Sequence, residues 1–337
     1  MKLTFDQIKQ IAQGAVRIEE TPEGIRFHRF TQEQEALYFD RSMDFYRKTP
    51  ATAGVKLLFR TDSRYLEMEV ALARASSRSY NSFDIFVNGK PLDYLDNFSS
   101  MDLPKAYSVI EYPETETKKT FLLGPGEKEV TVYFPWSAIG IVKEIELEDG
   151  SFVEPVRPKK KLLAFGDSIT QGYDSLRPSV RYVSRLAEHL RAEEINKAIG
   201  GETFFPELAG TKENFVPDYI LVAYGTNDWS HGTEPDFLHN CGGFFRNLSA
   251  TYPQSPIFAI TPIWRKDHRL DKPFGAFERV EQDIRSCVAG LPNVTVIRGY
   301  DFLPHDEALY ADQYLHPNDE GFGFYAASLI KEMERLI

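Results

Sequence analysis

Ser168 stands in the pentapeptide Gly166-Asp167-Ser168-Ile169-Thr170, directly after the apolar run Leu162-Leu163-Ala164-Phe165. A short apolar run of this kind reads as a buried parallel strand. A serine just past such a strand lies at the carboxyl edge of the sheet, where open α/β folds place their ligands, and Gly166 permits a tight turn there. Acyl transfer by a serine needs a base for the hydroxyl proton, a group to hold that base, and donors for the oxyanion that forms. His316, in Leu315-His316-Pro317-Asn318-Asp319, is the candidate base. Capping of the following helix explains Pro317 and Asn318 but leaves the histidine unexplained. Asn227, in Gly225-Thr226-Asn227-Asp228, follows the apolar run Tyr219–Tyr224, and its amide could face a developing oxyanion. The pair Gly200-Gly201, after Asn196-Lys197-Ala198-Ile199, could add a bare backbone N–H. Turns account for both of these segments equally well, and Ser168 or Thr170 alone could be no more than a helix cap. The four pieces in this order are harder to obtain by accident. The other histidines (His28, His189, His231, His239, His268 and His305) lack such a context and read as structural or surface residues.

Those candidates need a scaffold, and the chain of 337 residues is long enough for two domains. Hydrophobic residues make up 42% and charged residues 26%, an ordinary globular balance that allows a full core. The net charge of −11 argues against a general nucleic-acid binder, which needs a basic footprint, and against docking on anionic membranes. Cys241 and Cys287 fall in expected helices and show no metal-ligand spacing; free, mostly buried thiols are the simpler reading. No apolar run approaches the ~18 residues of a membrane span. The start lacks the apolar core of a signal peptide, so a cytoplasmic location is expected. Thr4 and Gln7 form a capping box for a short helix carrying Phe5, Ile8 and Ile11.

From about residue 20 to 148 the pattern is that of strands. Leu66, Met68, Val70 and Leu72 alternate with Glu67, Glu69 and Ala71. Phe83–Val87 runs into Asn88-Gly89, a strong hairpin signal. Val130, Val132 and Phe134 alternate in the same way, as do Ile145 and Leu147. These predict an antiparallel sandwich. The texture changes at Glu148-Asp149-Gly150, and Val156–Lys161 reads as a basic, solvated connector. Beyond it, strands at Tyr219–Tyr224, Ile257–Ile260 and Val294–Ile297 alternate with helices near 178–192, 235–252, 274–290 and 319–336, which implies a parallel sheet with helices on both sides. The expected organisation is a β-sandwich, jelly-roll-like domain over residues 1–155 and an α/β domain over 156–337.

Across roughly residues 160–337 the chain resembles the SGNH, or GDSL-type, hydrolases. The family's four positions match Ser168 in Gly-Asp-Ser-Ile-Thr, Gly201, Asn227 in Gly-Thr-Asn-Asp, and His316 in His-Pro-Asn. The resemblance implies a flavodoxin-like parallel sheet flanked by helices. It also implies Ser168 as acyl nucleophile, His316 as general base, and an oxyanion hole of the Ser168 N–H, the Gly201 N–H and the Asn227 side chain, with no metal and no organic cofactor. In the family an aspartate usually stands three residues before the histidine; here that position is Gln313, and Asp312 lies one residue further back. Either the loop carries an extra residue and Asp312 still orients His316, or a Ser-His dyad operates; the first is the expectation. Ala198 also stands where the family commonly has glycine.

The sandwich-plus-hydrolase layout is similar to that of carbohydrate esterase family 2 and related sugar acetylesterases. A small-molecule or oligosaccharide ester, acetyl in the first instance, is therefore the expected substrate, with no nucleic-acid or membrane partner and with a homo-oligomer left open. Tyr173, Trp229 and Trp264 lie near the expected site as candidate substrate contacts, although rings of this kind fill cores equally well. Trp136 is expected between the domains. A short-chain lipid esterase or thioesterase is the rival among enzymes, and a non-catalytic carbohydrate-binding protein the rival of another class.

Overall fold

A computed structural model describes every residue except Glu116. The first half folds as two antiparallel sheets. One contains Ala12–Gln13, Lys56–Thr61, Lys128–Tyr133, Ser82–Val87 and Lys90–Asp96 in that order, with Glu154–Pro155 added beside Lys56–Thr61. The other runs Arg17–Thr21, Gly24–His28, Ala138–Leu147, Tyr65–Arg74 and Lys118–Leu122. The alternating residues Leu66, Met68 and Val70, with Val142 on the neighbouring strand, pack with Phe83, Val130 and Val132 of the other sheet in the core between them. The hairpin at Asn88-Gly89 has φ of 51° and 74° at its two central residues, as a type I′ turn requires. At the N-terminus Thr4 and Gln7 cap the helix Phe5–Ile11 reciprocally.

The second half forms a parallel sheet in the order Ala192–Asn196, Lys160–Gly166, Tyr219–Ala223, Ile257–Ile260, Val294–Ile297. This is the flavodoxin-like order, and its switch point lies at the end of Lys160–Gly166, where the chain enters the serine motif. Helices flank the sheet, the longest being Glu234–Thr251 and Asp319–Leu336. No helix among the described residues is long and apolar enough to cross a membrane.

Several elements differ from the sequence-based expectation. The edge strand Ala192–Asn196 was not predicted, because Glu194 is a charged residue buried in it. Arg181 holds that carboxylate with both ends of its guanidinium, at 2.9 and 3.1 Å. The helix expected to reach 192 stops at His189. The helix expected from 274 begins at Arg279, after turns that bury Phe274 and Phe277. A helix pair, Gln32–Arg41 and Met43–Tyr46, interrupts the strands of the first half where only strands were expected; Thr31 and Gln34 cap it reciprocally. Phe30 and Tyr38, at this insertion, pack into the core of the parallel-sheet half beside Leu163, Phe165 and Leu208. The two halves also share a cluster containing Tyr80, Tyr107, Trp136, Tyr173 and Ala311. Trp136 sits there as expected and donates its indole N–H to the Ser175 carbonyl at 2.7 Å.

Arg181 links this packing to the serine loop. Glu194 accepts from Asn196 at 3.0 Å, and Asn196 donates to the Thr170 carbonyl at 2.9 Å. Burial pushes Glu194 up, but the Arg181 charge together with hydrogen bonds from Arg181, Asn196 and Ser184 outweighs it and holds the carboxyl below its ordinary range. Arg181→Met should leave a buried uncompensated carboxylate and cost about 3–5 kcal/mol, read from urea unfolding. A loss below about 1 kcal/mol would show that the pair carries little stability.

Candidate active site

The strand Lys160–Gly166 ends where Asp167, in extended conformation, caps the short helix Ser168–Gln171. A Cβ at Gly166 would lie 2.2 Å from the Thr170 hydroxyl, so only glycine lets the helix start this close to the strand. Ser168 Oγ lies 2.8 Å from His316 Nε2. His316 Nδ1 lies 2.6 Å from Asp312 Oδ2. Asp312 Oδ1 accepts the backbone N–H groups of Tyr314, Leu315 and His316 at 3.0, 2.8 and 3.1 Å. Burial works against the charged form of Asp312, but the bond to His316 and these N–H donors outweigh it and hold the carboxyl low. The extra residue of this loop is absorbed at Gln313, whose φ is 65°. That left-handed step lets an aspartate four residues back reach the ring. On the other side, His316 O accepts from Ala311 N at 2.9 Å, and Asn318 caps the last helix.

Gly201 has φ 88° and, among the described residues, its N–H finds no protein acceptor; nor does the N–H of Ser168. The N–H of Gly200 is occupied by Gln171 Oε1 at 2.8 Å, which separates the two glycines. Asn227 lies on a short helix, Thr226–His231, capped by Gly225 at φ 116°. Asn227 Nδ2 donates to the Glu202 carbonyl at 2.9 Å, which ties its amide beside Gly201 and uses one of its two N–H bonds. Ser168, Gly201, Asn227 and His316 line one cleft of about 390 Å³.

Tyr173 lines the same cleft, its ring tilted over His316 with centroids 5.7 Å apart. The two tryptophans offered as substrate contacts do not. Trp229 is fully buried; its indole N–H donates to Gly275 O at 2.9 Å and its ring meets Phe277 edge-on. It sits about 200° around the helix from Asn227, on the face turned into the core. Trp264 stacks on His305 at 5.3 Å inside a separate apolar cluster. His231, expected to be a structural or surface residue, is exposed and also lines the cleft, with Ser230, one turn after Asn227. That placement follows from a helix starting at Gly225, where the sequence suggested only a turn. Lys48, Ser77 and Arg78 reach the cleft from the first half of the chain, and Arg265, Asp267 and Lys272 from the loop after Ile257–Ile260. Of these, only Arg265, which follows Trp264 after the third strand, was expected near the site.

Burial raises the carboxyls behind the cleft. Asp167 is pushed up to about 6 and Asp228 to about 7. Glu202 reaches about 8 while accepting the hydroxyls of Tyr38 and Tyr224 at 2.7 and 2.9 Å. The ligand atoms of Asp174, Asp312 and His316 converge within 4.8 Å. Both ring nitrogens of His316 are already engaged by Ser168 and Asp312, and Asp174 by Arg78, so hydrogen bonds account for the cluster.

A serine hydroxyl, imidazole and carboxylate lie in line at the carboxyl edge of a 2-1-3-4-5 parallel sheet of the SGNH hydrolase fold, with a glycine N–H and an asparagine beside them. Residues 164–323, within the parallel-sheet half, match the model of the GDSL-like Lipase/Acylhydrolase family. No curated protein matches the chain by sequence. Among solved structures, the chain is similar to a salicylyl-acyltransferase from a tetracycline biosynthetic pathway (TM-score 0.78, 20% identity, covering 96% of this chain and 94% of that one). It is similar to a Bacteroides ovatus protein described as a GDSL-like lipase (0.71, 19%, 96% and 97%). It is also similar to a family two carbohydrate esterase from Clostridium thermocellum (0.65, 15%, 96% and 98%). At these identities the likeness is one of fold, and it extends over the sandwich as well as the hydrolase domain.

Proposed function

We propose that the protein is a serine esterase that removes a small acyl group, acetyl in the first instance, from a carbohydrate. The observation that carries this reading is the unbroken line Asp312–His316–Ser168 opening on a cleft that holds unpaired N–H groups at Ser168 and Gly201. Ser168 Oγ attacks the ester carbonyl as His316 Nε2 takes its proton. The Ser168 N–H, the Gly201 N–H and the free N–H of Asn227 hold the oxyanion. His316 then returns the proton to the leaving alcohol, and water resolves the acyl-enzyme by the same route. Neither a metal nor an organic cofactor enters these steps.

A sugar alcohol fits the polar wall of Lys48, Ser77, Arg78, Ser230 and Arg265, and the Tyr173 ring offers a face to an apolar sugar edge. A rate profile over p-nitrophenyl acetate, butyrate and octanoate tests this. A steep fall after acetate supports deacetylation, whereas a maximum at octanoate would replace it with a lipid esterase. Binding of acetylated oligosaccharide without turnover would replace it with a binding protein. Asn227→Ala should lower kcat by about 10²- to 10³-fold with little change in KM, the usual loss for one oxyanion donor. A change below tenfold would leave Asn227 only its structural bond to Glu202.

A further inference from the structure

We propose that Asp174 is a second carboxylate partner of His316, held there by the sandwich, so that the N-terminal half supplies part of the electrostatic setting of the base. This rests on the reading of His316 as general base. Asp174 is completely buried and has φ 69°, a backbone region that non-glycine residues seldom adopt. Its Oδ2 lies 3.6 Å from His316 Nδ1. That is too long for a hydrogen bond but close enough to act as a charge where water is excluded.

Three sandwich residues fix it. Arg78 donates from Nε to Oδ1 at 2.5 Å and from Nη2 to Oδ2 at 3.0 Å. The Tyr80 hydroxyl donates to Oδ1 at 2.8 Å, and the Tyr107 hydroxyl to the Asp174 carbonyl at 2.5 Å. Oδ2 therefore lies between a guanidinium and the catalytic imidazole. Arg78 is itself at the cleft wall with Ser168 and His316. In the resting state Arg78 offsets the Asp174 charge. When His316 accepts the Ser168 proton, the imidazolium forms against two carboxylates, Asp312 by hydrogen bond and Asp174 by its field. Asp174 is thus a positioning residue that acts through the ring.

Other charged and titratable groups surround His316, among them Lys48, His231, Asp267 and Lys272 across the cleft. Asp312 and Tyr314 belong to its own loop, and Asp319 begins the last helix. Asp167 and Tyr173 come from the serine loop, Arg265 from the loop after Ile257–Ile260, and Arg78, Tyr80 and Tyr107 from the sandwich. Asp167 and Asp319 are each pushed up to about 6 by burial, whereas Asp312 is held low by its bonds to His316 and the loop N–H groups.

The test is the pH dependence of kcat/KM on p-nitrophenyl acetate for Asp174→Asn, Arg78→Met and the double variant, with melting temperature followed for each. Asp174→Asn removes a negative charge and leaves Arg78 uncompensated, so the acid limb should move down by about half a unit to one unit. Arg78→Met bares the Asp174 carboxylate, so the limb should move up by about the same amount. The double variant should return it close to wild type, a pattern that loss of packing alone would not produce. Should Arg78→Met fail to fold, Arg78→Lys should hold the limb near its wild-type position, and Asp174→Asn alone decides. An acid limb that stays put in an active Asp174→Asn enzyme, or moves the same way in both single variants, overturns the inference. Full activity in His316→Ala would instead remove the base reading, and this inference with it.

Discussion

Ser168→Ala is expected to lose about 10⁴- to 10⁶-fold in kcat on an acetyl ester while the fold stays intact. The hydroxyl is the one group 2.8 Å from His316 Nε2, and without it no acyl-enzyme forms. What remains is the oxyanion hole and substrate binding, which in serine hydrolases of this chemistry leave a small residual rate. The substitution removes one oxygen from a residue that is almost buried, and the helix cap is supplied by Asp167, so the melting temperature should hardly move. Activity within tenfold of wild type would mean that another group performs the attack.

The second large effect is expected at Asp312. Asp312→Asn keeps an oxygen able to accept the three backbone N–H groups of residues 314–316, so the loop should survive. It replaces the acceptor facing His316 Nδ1 with an amide that favours the wrong tautomer, and removes the charge that stabilises the imidazolium. A fall of about 10³- to 10⁴-fold in kcat with little change in KM is expected. A near-neutral effect would establish a Ser-His dyad instead. The carboxyl is held low in the folded protein, below its unfolded value. Its contribution to stability is therefore present above the unfolded value of about 4 and is lost as pH falls through the folded one. Asp312→Asn should accordingly narrow the stability gap between pH 7 and pH 3 in urea titrations.

The serine loop and the histidine turn were legible because their chemistry is local. A strand, a glycine that admits a close helix start, and a cap surround Ser168 within a few residues. Asp312 was legible as a candidate only; whether it reached the ring depended on the left-handed step at Gln313. The aromatics misled. Trp229 and Trp264 lie near site residues in sequence, but their side chains turn into the core. Arg78 and Lys48 were beyond reach, because the sandwich brings them to the cleft across a large sequence separation: Arg78 meets Asp174 at a distance of 96 residues along the chain. The strand Ala192–Asn196 was hidden by Glu194, whose charge reads as surface until Arg181 is seen beside it. Local chemistry thus marked the candidate nucleophile and base, while the groups that surround them come from tertiary pairing.

The most direct measurement is to treat the purified protein with a serine-directed phosphonate, with p-nitrophenyl acetate turnover followed in parallel, and to locate the adduct by peptide mass spectrometry. The account predicts loss of hydrolysis in step with one adduct on Ser168. Hydrolysis that persists without an adduct, or inactivation with the adduct on another residue, would contradict it.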